Sequence, residues 1–119
     1  MEEINGRTVI TPADTAEILT WGTKETAGAY TTLIGVIPPG QEPPRLHLHP
    51  TTDEAFYVAR GPGAFRLEDE EITAETGSLV FVPRGTVHTA WNPGSEPVTG
   101  LIIISPADVE HEFVPVDEG

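Results

Sequence analysis

Three of the four histidines and one glutamate stand at spacings that suit a metal site. His47 and His49 are separated by one residue, Glu54 follows five residues after His49, and His88 lies further along the chain. Three imidazoles and a carboxylate suit a divalent transition metal that keeps coordination positions open for a small molecule. The sequence therefore predicts a metal centre held by His47, His49, Glu54 and His88.

Strand geometry would bring these side chains together. Residues i and i+2 of a strand project to the same face, so His47 and His49 would point the same way. Glu54 opens the next predicted strand after a four-residue connection, which is short enough to bring it beside the pair. On that strand Glu54 shares a face with Phe56 and Val58, and a buried carboxylate there would need a metal and imidazole neighbours to stabilise its charge.

The elements that must position this site are predicted to be β-strands. Short runs rich in β-branched and aromatic residues recur between Gly and Pro punctuation, which is typical of a sandwich or barrel. We expect strands near Thr8–Ile10, Ile18–Thr20, Tyr30–Ile37, Leu46–His49, Glu54–Ala59, Ala64–Leu67, Ser78–Val82, Val87–Trp91, Val98–Ser105 and Glu112–Val116. Only Ala13–Leu19 could form a short helix. No repeat or composition break divides the chain, so residues 1–119 are predicted to form one domain.

Charge and composition exclude several functions. The 19 acidic residues outnumber the 6 basic ones and give a formal net charge of −13, which favours solubility and repels nucleic acid and anionic membranes. The chain contains no run of 18 apolar residues, so no transmembrane helix is expected. The beginning of the chain lacks the basic and apolar regions of a secretory signal. The absence of cysteine excludes disulfides and thiolate ligands and fits a cytoplasmic location.

Two segments of the chain resemble the signature motifs of the cupin superfamily. The first, about residues 40–61, resembles Gly40, a spacer, His47-Leu48-His49, four residues, Glu54, six residues and Gly61. The second, about residues 77–92, resembles Gly77, five residues, Pro83-Arg84-Gly85, two residues, His88, three residues and Asn92. The second motif matches at every defining position, whereas the first has six residues instead of the usual five before His47. The resemblance implies an all-β, double-stranded β-helix (a jelly-roll barrel) with at most one short helix.

Other residues of these segments have simpler interpretations. Gly61, Gly77 and Gly85 are expected to be turn residues with positive φ, and Asn92 is expected to close a turn. The acidic run at 68–71 is predicted to be the solvated tip of a hairpin, since it lacks calcium-loop spacing. His111, outside both motifs, is interpreted as an ordinary surface or core histidine.

The resemblance also implies a cofactor and a range of activities. A three-His, one-Glu site would hold one divalent ion (Fe, Mn, Ni or Zn) with about two positions free for a substrate. We expect a metal-dependent enzyme, first a dioxygenase-like oxidoreductase; the alternatives are a Lewis-acid cyclase or isomerase acting on a polyketide-like or sugar-like substrate, and a non-catalytic binding module. The expected pocket lining is Phe56, Val58, Phe81, Ala90, Ile102 and Ile104. Tyr30, Tyr57 and Glu42 are unranked candidates for a catalytic base.

The expected partners are a small-molecule substrate and a second copy of the chain. The resemblance to small cupins implies a homodimer. In such dimers an N-terminal strand is often exchanged, and Thr8–Ile10 could serve that purpose. Pairing this strand would also remove an exposed sheet edge. The sequence does not specify the metal, the substrate or the reaction class.

Overall fold

The fold of the described residues is built from strands. The computed structural model describes the backbone of residues 2–4, 7–9, 18–21, 26–107 and 112–113, and the side chains of residues 26–107. The strands are β1 (Glu2–Ile4), β2 (Arg7–Val9), β3 (Ile18–Trp21), β4 (Thr31–Ile37), β5 (His47–Leu48), β6 (Asp53–Arg60), β7 (Gly63–Leu67), β8 (Glu70–Ala74), β9 (Leu79–Val82), β10 (His88–Trp91), β11 (Val98–Ser105) and β12 (Glu112–Phe113). Within these ranges, no helix has the length and apolar character needed to cross a membrane.

Two five-stranded antiparallel sheets carry the fold. One has the order β12-β5-β10-β7-β8 and is called the histidine sheet below. The other has the order β3-β4-β11-β6-β9 and is called the long sheet, because β11 pairs with β4 over seven residues and with most of β6. A separate hairpin pairs β1 with β2. Consecutive strands often lie in different sheets, as expected of a jelly-roll barrel.

The predicted strands agree closely with the observed ones. β11 has the predicted bounds, and the other predicted strands agree within about one residue at each end wherever the backbone is described. Two strands, β1 and β8, were not predicted. The acidic hairpin tip is confined to Glu68 and Asp69, and β8 begins at Glu70. Of the predicted helix, residues 13–17 lie outside the described residues, whereas Ile18 and Leu19 belong to β3.

The core lies between the two sheets and follows strand alternation. Its buried cluster contains Val58, Phe65, Ala74, Val80 and Val82, which come from β6, β7, β8 and β9. Along β9 the inward Val80 and Val82 alternate with exposed residues. Burial of these side chains fixes the register of the strands, because a slip by one residue would turn the apolar set outward.

The signature glycines serve two different purposes. Gly77 and Gly85 have φ of 92° and 82°, as predicted for turn residues. Gly61 has no positive φ, so that part of the prediction is wrong. A Cβ at Gly61 would lie 2.6 Å from Val58 Cγ1 and 3.1 Å from the Ala74 carbonyl oxygen, so close packing is what requires glycine there.

Candidate metal centre

The four predicted ligands come together between the two sheets. His47 on β5 pairs in register with His88 on β10, and His49 follows β5 directly. Glu54 reaches the same point from β6 of the long sheet. One ligand atom from each of the four side chains lies within 4.8 Å of all the others. The i, i+2 spacing of the histidines and the short connection to Glu54 therefore bring the four side chains together, as predicted.

The arrangement fits a divalent ion. Two ligand atoms that each lie about 2.1 Å from one ion can be at most about 4.2 Å apart, so the separations within the cluster, which reach 4.8 Å, need to shorten by only about 0.6 Å. Glu54 Oε1 already contacts His49 Nε2 and lies 3.1 Å from His88 Nε2. His49, Glu54 and His88 are all buried. A buried carboxylate among imidazoles is the donor set of a transition-metal site that holds no sulfur.

Backbone carbonyls orient two of the imidazoles. His88 Nδ1 lies 2.8 Å from the carbonyl oxygen of Thr86, so the Nδ1–H donates to the backbone and Nε2 is left directed at Glu54. His47 has a hydrogen bond to the backbone of Arg45. Such outer contacts fix the tautomer and the ring orientation of a metal-binding histidine.

Two neighbouring histidines have pKa values shifted in opposite directions. Burial lowers the pKa of His47, and repulsion from His88 and His49 lowers it further. For His88, burial opposes protonation, but the hydrogen bonds to Glu54 and to the Thr86 carbonyl, together with the charge of Glu54, outweigh it and raise the pKa above its ordinary value. Without a metal, His88 is therefore the group that holds a proton most readily in this pair.

A turn next to the site ties its parts together. The backbone N–H of Arg84 donates to Asp53 Oδ1 at 2.8 Å, and the Arg84 guanidinium donates to both carboxylate oxygens of Asp53 at 3.2 Å. These hydrogen bonds lower the pKa of Asp53. Gly85 N–H donates to the carbonyl of His49 at 2.8 Å. The turn that leads to His88 is thus fastened to the residue before Glu54 and to His49, a role that the sequence analysis did not assign to Asp53.

A cavity opens over the four ligands. Its volume is about 340 Å³, and besides the ligands it is lined by Pro44, Phe56, Thr89, Ala90 and Ile102. It is called the histidine cavity below. Three of the six pocket candidates, Phe56, Ala90 and Ile102, are thus among the residues that line this cavity.

The other three pocket candidates lie elsewhere. Val58 is buried in the core and lines a second cavity, whereas Ile104 is buried but lines neither cavity. The placement of Phe81 in the pocket is wrong, since 58% of its surface is exposed. The physical reason is strand parity: Val80 and Val82 occupy the inner face of β9, and Phe81 therefore faces outward.

None of the candidate bases lines the histidine cavity. Tyr30 and Tyr57 are more than two-fifths exposed, and Glu42 is exposed as well. Among the residues that line this cavity, the four ligands are the only titratable ones.

Asn92 has the loop-closing role that was predicted for it. Its side chain is 1% exposed, donates to the carbonyls of Ile37 and Glu96, and accepts from the N–H of Gly94. These bonds fasten the turn after β10 to the end of β4 and position the C-terminal end of the strand that carries His88.

The family follows from a match that covers most of the barrel. Residues 33–104 match the model of the cupin domain, which is more than half of the chain. The chain belongs to the cupin family. The segment contains all four ligand residues and runs from β4 to β11, and the histidine site is thus that of a small cupin with a possible metal centre.

Curated relatives resemble part of the chain. A tetracenomycin polyketide synthase protein, TcmJ of Streptomyces glaucescens, is 34% identical over 71 residues, which is 60% of this chain and 48% of that protein. The glucose-6-phosphate isomerase of Thermococcus gammatolerans is 34% identical over 79 residues, which is 60% of this chain and 41% of the isomerase. The chain thus matches less than half the length of these relatives.

Solved structures agree on the fold. A double-stranded β-helix protein from Klebsiella pneumoniae superimposes with a TM-score of 0.70 at 19% identity, covering 84% of this chain and 86% of that one. The oxalate decarboxylase of Bacillus subtilis, a protein with Mn(II) centres, superimposes with a TM-score of 0.70 at 19% identity over 82% of this chain and 27% of the decarboxylase. The fold is the double-stranded β-helix of the cupins.

Proposed function

We propose that this cupin is an enzyme that acts on a small molecule through one divalent metal ion. The observation that carries the proposal is the set of four donors within 4.8 Å of one another beneath a cavity of about 340 Å³. Fe, Mn, Ni and Zn all suit three imidazoles and a carboxylate. The Mn(II) centres of the oxalate decarboxylase, which shares the fold, keep manganese among these candidates.

The chain's own residues would bind and shield the substrate. A bound ion would supply Lewis-acid or redox chemistry to an oxygen-bearing substrate in the positions that the four ligands leave free. Phe56 and Ile102 would exclude water from one side of that substrate. The hydrogen bond from His88 to the Thr86 carbonyl would hold its Nε2 towards the ion.

For the reaction class, we propose a dioxygenase-like oxidoreductase. Apart from the four ligands, the lining of the histidine cavity contains no titratable side chain. Thr89 carries the only hydroxyl group among the lining residues. An enzyme that moves protons between carbon atoms usually supplies a base with a matched pKa beside the substrate. A reaction in which both atoms of dioxygen enter an electron-rich enediol or catechol-like substrate depends less on such a group.

The second candidate is a non-oxidative isomerase or cyclase. It is favoured by the two relatives at 34% identity, an isomerase of a sugar phosphate and a polyketide synthase protein. In that case Glu54 is the carboxylate in the cavity that could accept a proton from the substrate. The third alternative, also expected from the sequence, is a module that binds a small molecule without turnover.

One set of assays separates these alternatives. Protein loaded in turn with Fe(II), Mn(II), Ni(II) and Zn(II) is tested for oxygen uptake with catechol and ascorbate, and for solvent deuterium exchange into dihydroxyacetone phosphate under anaerobic conditions. Metal-dependent oxygen uptake that His88→Ala abolishes and His111→Ala preserves supports the oxygenase. Metal-dependent exchange without oxygen uptake supports the isomerase and contradicts the oxygenase. The absence of both reactions with metal bound contradicts both enzymatic functions.

We also infer that a second copy of the chain covers the outer face of the long sheet. The cross-strand register aligns eight outward residues in two rows: Ile34, Leu101, Tyr57 and Leu79, and Thr32, Ile103, Ala55 and Phe81. None of the eight residues is charged. The net charge of −13 would make two copies of the chain repel one another through their other surfaces. A five-stranded face of this length covers about 500 Å² per copy, and a pair therefore reaches the lower limit of a specific interface, about 1,000 Å².

The dimer differs from the strand exchange expected from the sequence. β2, which contains Thr8, pairs with β1 of its own chain. Light scattering should give twice the 12.8 kDa mass of the chain for the wild type and the monomer mass for Leu79→Glu. Thr73→Glu, which adds the same charge to the exposed face of β8, is the matched control and should stay dimeric. A monomeric wild type, or a dimeric Leu79→Glu, would contradict the inference.

A further inference from the structure

A second cavity lies inside the barrel, next to the histidine cavity. Its volume is about 190 Å³, and its lining comes from β4, β6 and β11 of the long sheet and from β7 and β10 of the histidine sheet. It is called the apolar cavity below. Phe56, Ala90 and Ile102 line both cavities. The two spaces therefore adjoin, with the single methyl group of Ala90 and the ring of Phe56 at their boundary.

Paired glycines leave the apolar cavity open. Gly35 and Gly100 are cross-strand partners on β4 and β11, and both occupy positions of the inner face. A Cβ at Gly100 would lie 3.6 Å from its nearest neighbour, the Tyr57 carbonyl oxygen, which is an ordinary contact. Steric crowding of the backbone thus does not require glycine at this position. Glycine inside a strand weakens it and often marks a place where a ligand approaches the backbone closely.

The chemistry of the apolar cavity suits a hydrocarbon ring. No charged side chain lines it, and its lining includes Phe56, Phe65 and Trp91 together with aliphatic side chains. An apolar cavity of about 150 Å³ stays dry and binds benzene in another protein, and this one is slightly larger. Phe56 and Phe65 meet edge to face, with ring centroids 5.3 Å apart and an interplanar angle of 73°, so a further aromatic ring would find compatible geometry.

We propose that the apolar cavity binds the ring of a substrate whose oxygen-bearing end lies at the four metal ligands. The second half of this statement rests on the proposed metal-dependent function; the first half does not. The substrate class is therefore an aromatic or alicyclic compound with one ring and a bidentate oxygen group beside it. An acyclic sugar phosphate fits this pair of cavities poorly, because the apolar cavity offers its hydroxyl groups few partners.

Toluene, which carries no metal-binding group, tests the ring site alone. Wild-type protein should bind toluene saturably in titrations followed by NMR, equally well after chelator treatment and after loading with Mn(II). Gly100→Val places two methyl groups in the cavity and should weaken binding at least about tenfold, because the ring loses its contact space. Gly100→Ala, which adds one methyl group and keeps the fold if valine does not, should weaken it by a smaller factor.

The matched control lies on the outer face of the same strand. Ile103 is 40% exposed on β11, and Ile103→Val should leave toluene binding unchanged. Absence of saturable binding by the wild type would overturn the ring site. Equal affinities of the wild type and both folded Gly100 variants would overturn it as well.

A pair of hydroxamates tests the joint substrate. On Mn(II)-loaded wild type, benzohydroxamate should bind at least about tenfold more tightly than acetohydroxamate, since only the former places a ring in the apolar cavity. This advantage should disappear in Gly100→Val and persist in Ile103→Val. Equal affinities of the two hydroxamates would overturn the joint substrate. If toluene binds and neither hydroxamate does, the metal-dependent function fails and the ring site stands.

Discussion

The two adjoining cavities of the barrel are built by opposite means. The histidine cavity is defined by side chains that fill space with donors, three imidazoles and a carboxylate, and two of the imidazoles are held by backbone hydrogen bonds. The apolar cavity is defined by side chains that are missing, at the paired Gly35 and Gly100. Donor spacing within short segments can be seen in a sequence. A space left between strands depends on register and emerges only in three dimensions.

The difference predicts that damage to one cavity leaves the function of the other nearly intact. The largest effect on folding is expected for Phe65→Ala. Phe65 is 5% exposed and packs against Phe56, and its removal should lower the free energy of unfolding by about 3–5 kcal/mol. The affinity for Mn(II) should change by less than about threefold, because Phe65 is not one of the four residues that supply the ligand atoms. Urea titrations and metal titrations measure the two quantities.

A parallel loss of metal affinity in Phe65→Ala would contradict the independence of the two cavities. In that case the two cavities would belong to a single cooperative core, in which the Phe56–Phe65 contact also holds the ligands in place.

The opposite pattern is expected for His88→Ala. Mn(II) at one hundred times its dissociation constant should stabilise the wild type by about 2.7 kcal/mol, because the ion binds only the folded site. His88→Ala should lose that metal-dependent gain, whereas toluene binding should persist. His111→Ala removes a histidine outside both signature motifs and should keep the gain. Melting curves with and without metal measure it, and an equal gain in His88→Ala would exclude His88 as a ligand.

A smaller, graded effect is expected from pH. Because the pKa of His88 is raised above 6.5, protons should begin to compete with the metal above that pH as the solution is acidified. The pKa of His47 is lowered by burial, so His47 should take up its proton at a lower pH than His88. Metal affinity should therefore fall by about tenfold per pH unit below the His88 pKa, as expected for one displaced proton.

Metal titrations between pH 8 and pH 5.5 measure this dependence in the same protein. Toluene binding should stay constant over the range, since no carboxylate, imidazole or amino group lines the apolar cavity. A metal affinity independent of pH would contradict the displacement of a proton from His88.

The smallest effect is expected where the structure acts on the ligands indirectly. Arg84→Ala removes the guanidinium bonds to Asp53 but keeps the backbone N–H that bonds the same carboxylate. Metal affinity should fall by less than about tenfold, at the lower end of the range for residues that orient ligands. Arg60→Ala, at the exposed end of β6, is the control and should leave the affinity unchanged. A loss as large as that of His88→Ala would mean that the turn, not the ligands, controls the site.

Much of the candidate metal site could be predicted, because the spacing of its residues is visible within short segments of the chain. The i, i+2 pair of histidines and the short connection to Glu54 limit the possible distances, and the Gly and Pro framework identifies the barrel. It was harder to predict which of two adjacent strand residues faces the core. Phe81 and Val80 are adjacent apolar residues, and only the packing of β9 shows which one faces the core. β8 was overlooked because its first two residues are acidic, although Ile72 and Ala74 alternate with polar residues.

The apolar cavity was not predicted for a related reason. Gly35 and Gly100 are far apart in the sequence, and only the register of β4 against β11 makes them partners. Glycine in a predicted strand was a signal that could have been followed on each strand separately. Their combined effect, a space for a ring, required the pairing.

The central claim is that His47, His49, Glu54 and His88 hold one divalent ion. The most direct measurement is the metal stoichiometry of chelator-stripped protein after reloading with Mn(II) and removal of excess ion, determined by mass spectrometry of the metal. We expect one ion per chain in the wild type and in His111→Ala, and a small fraction of that in His47→Ala. Less than one ion per chain in the wild type, or an unchanged content in His47→Ala, would contradict the claim.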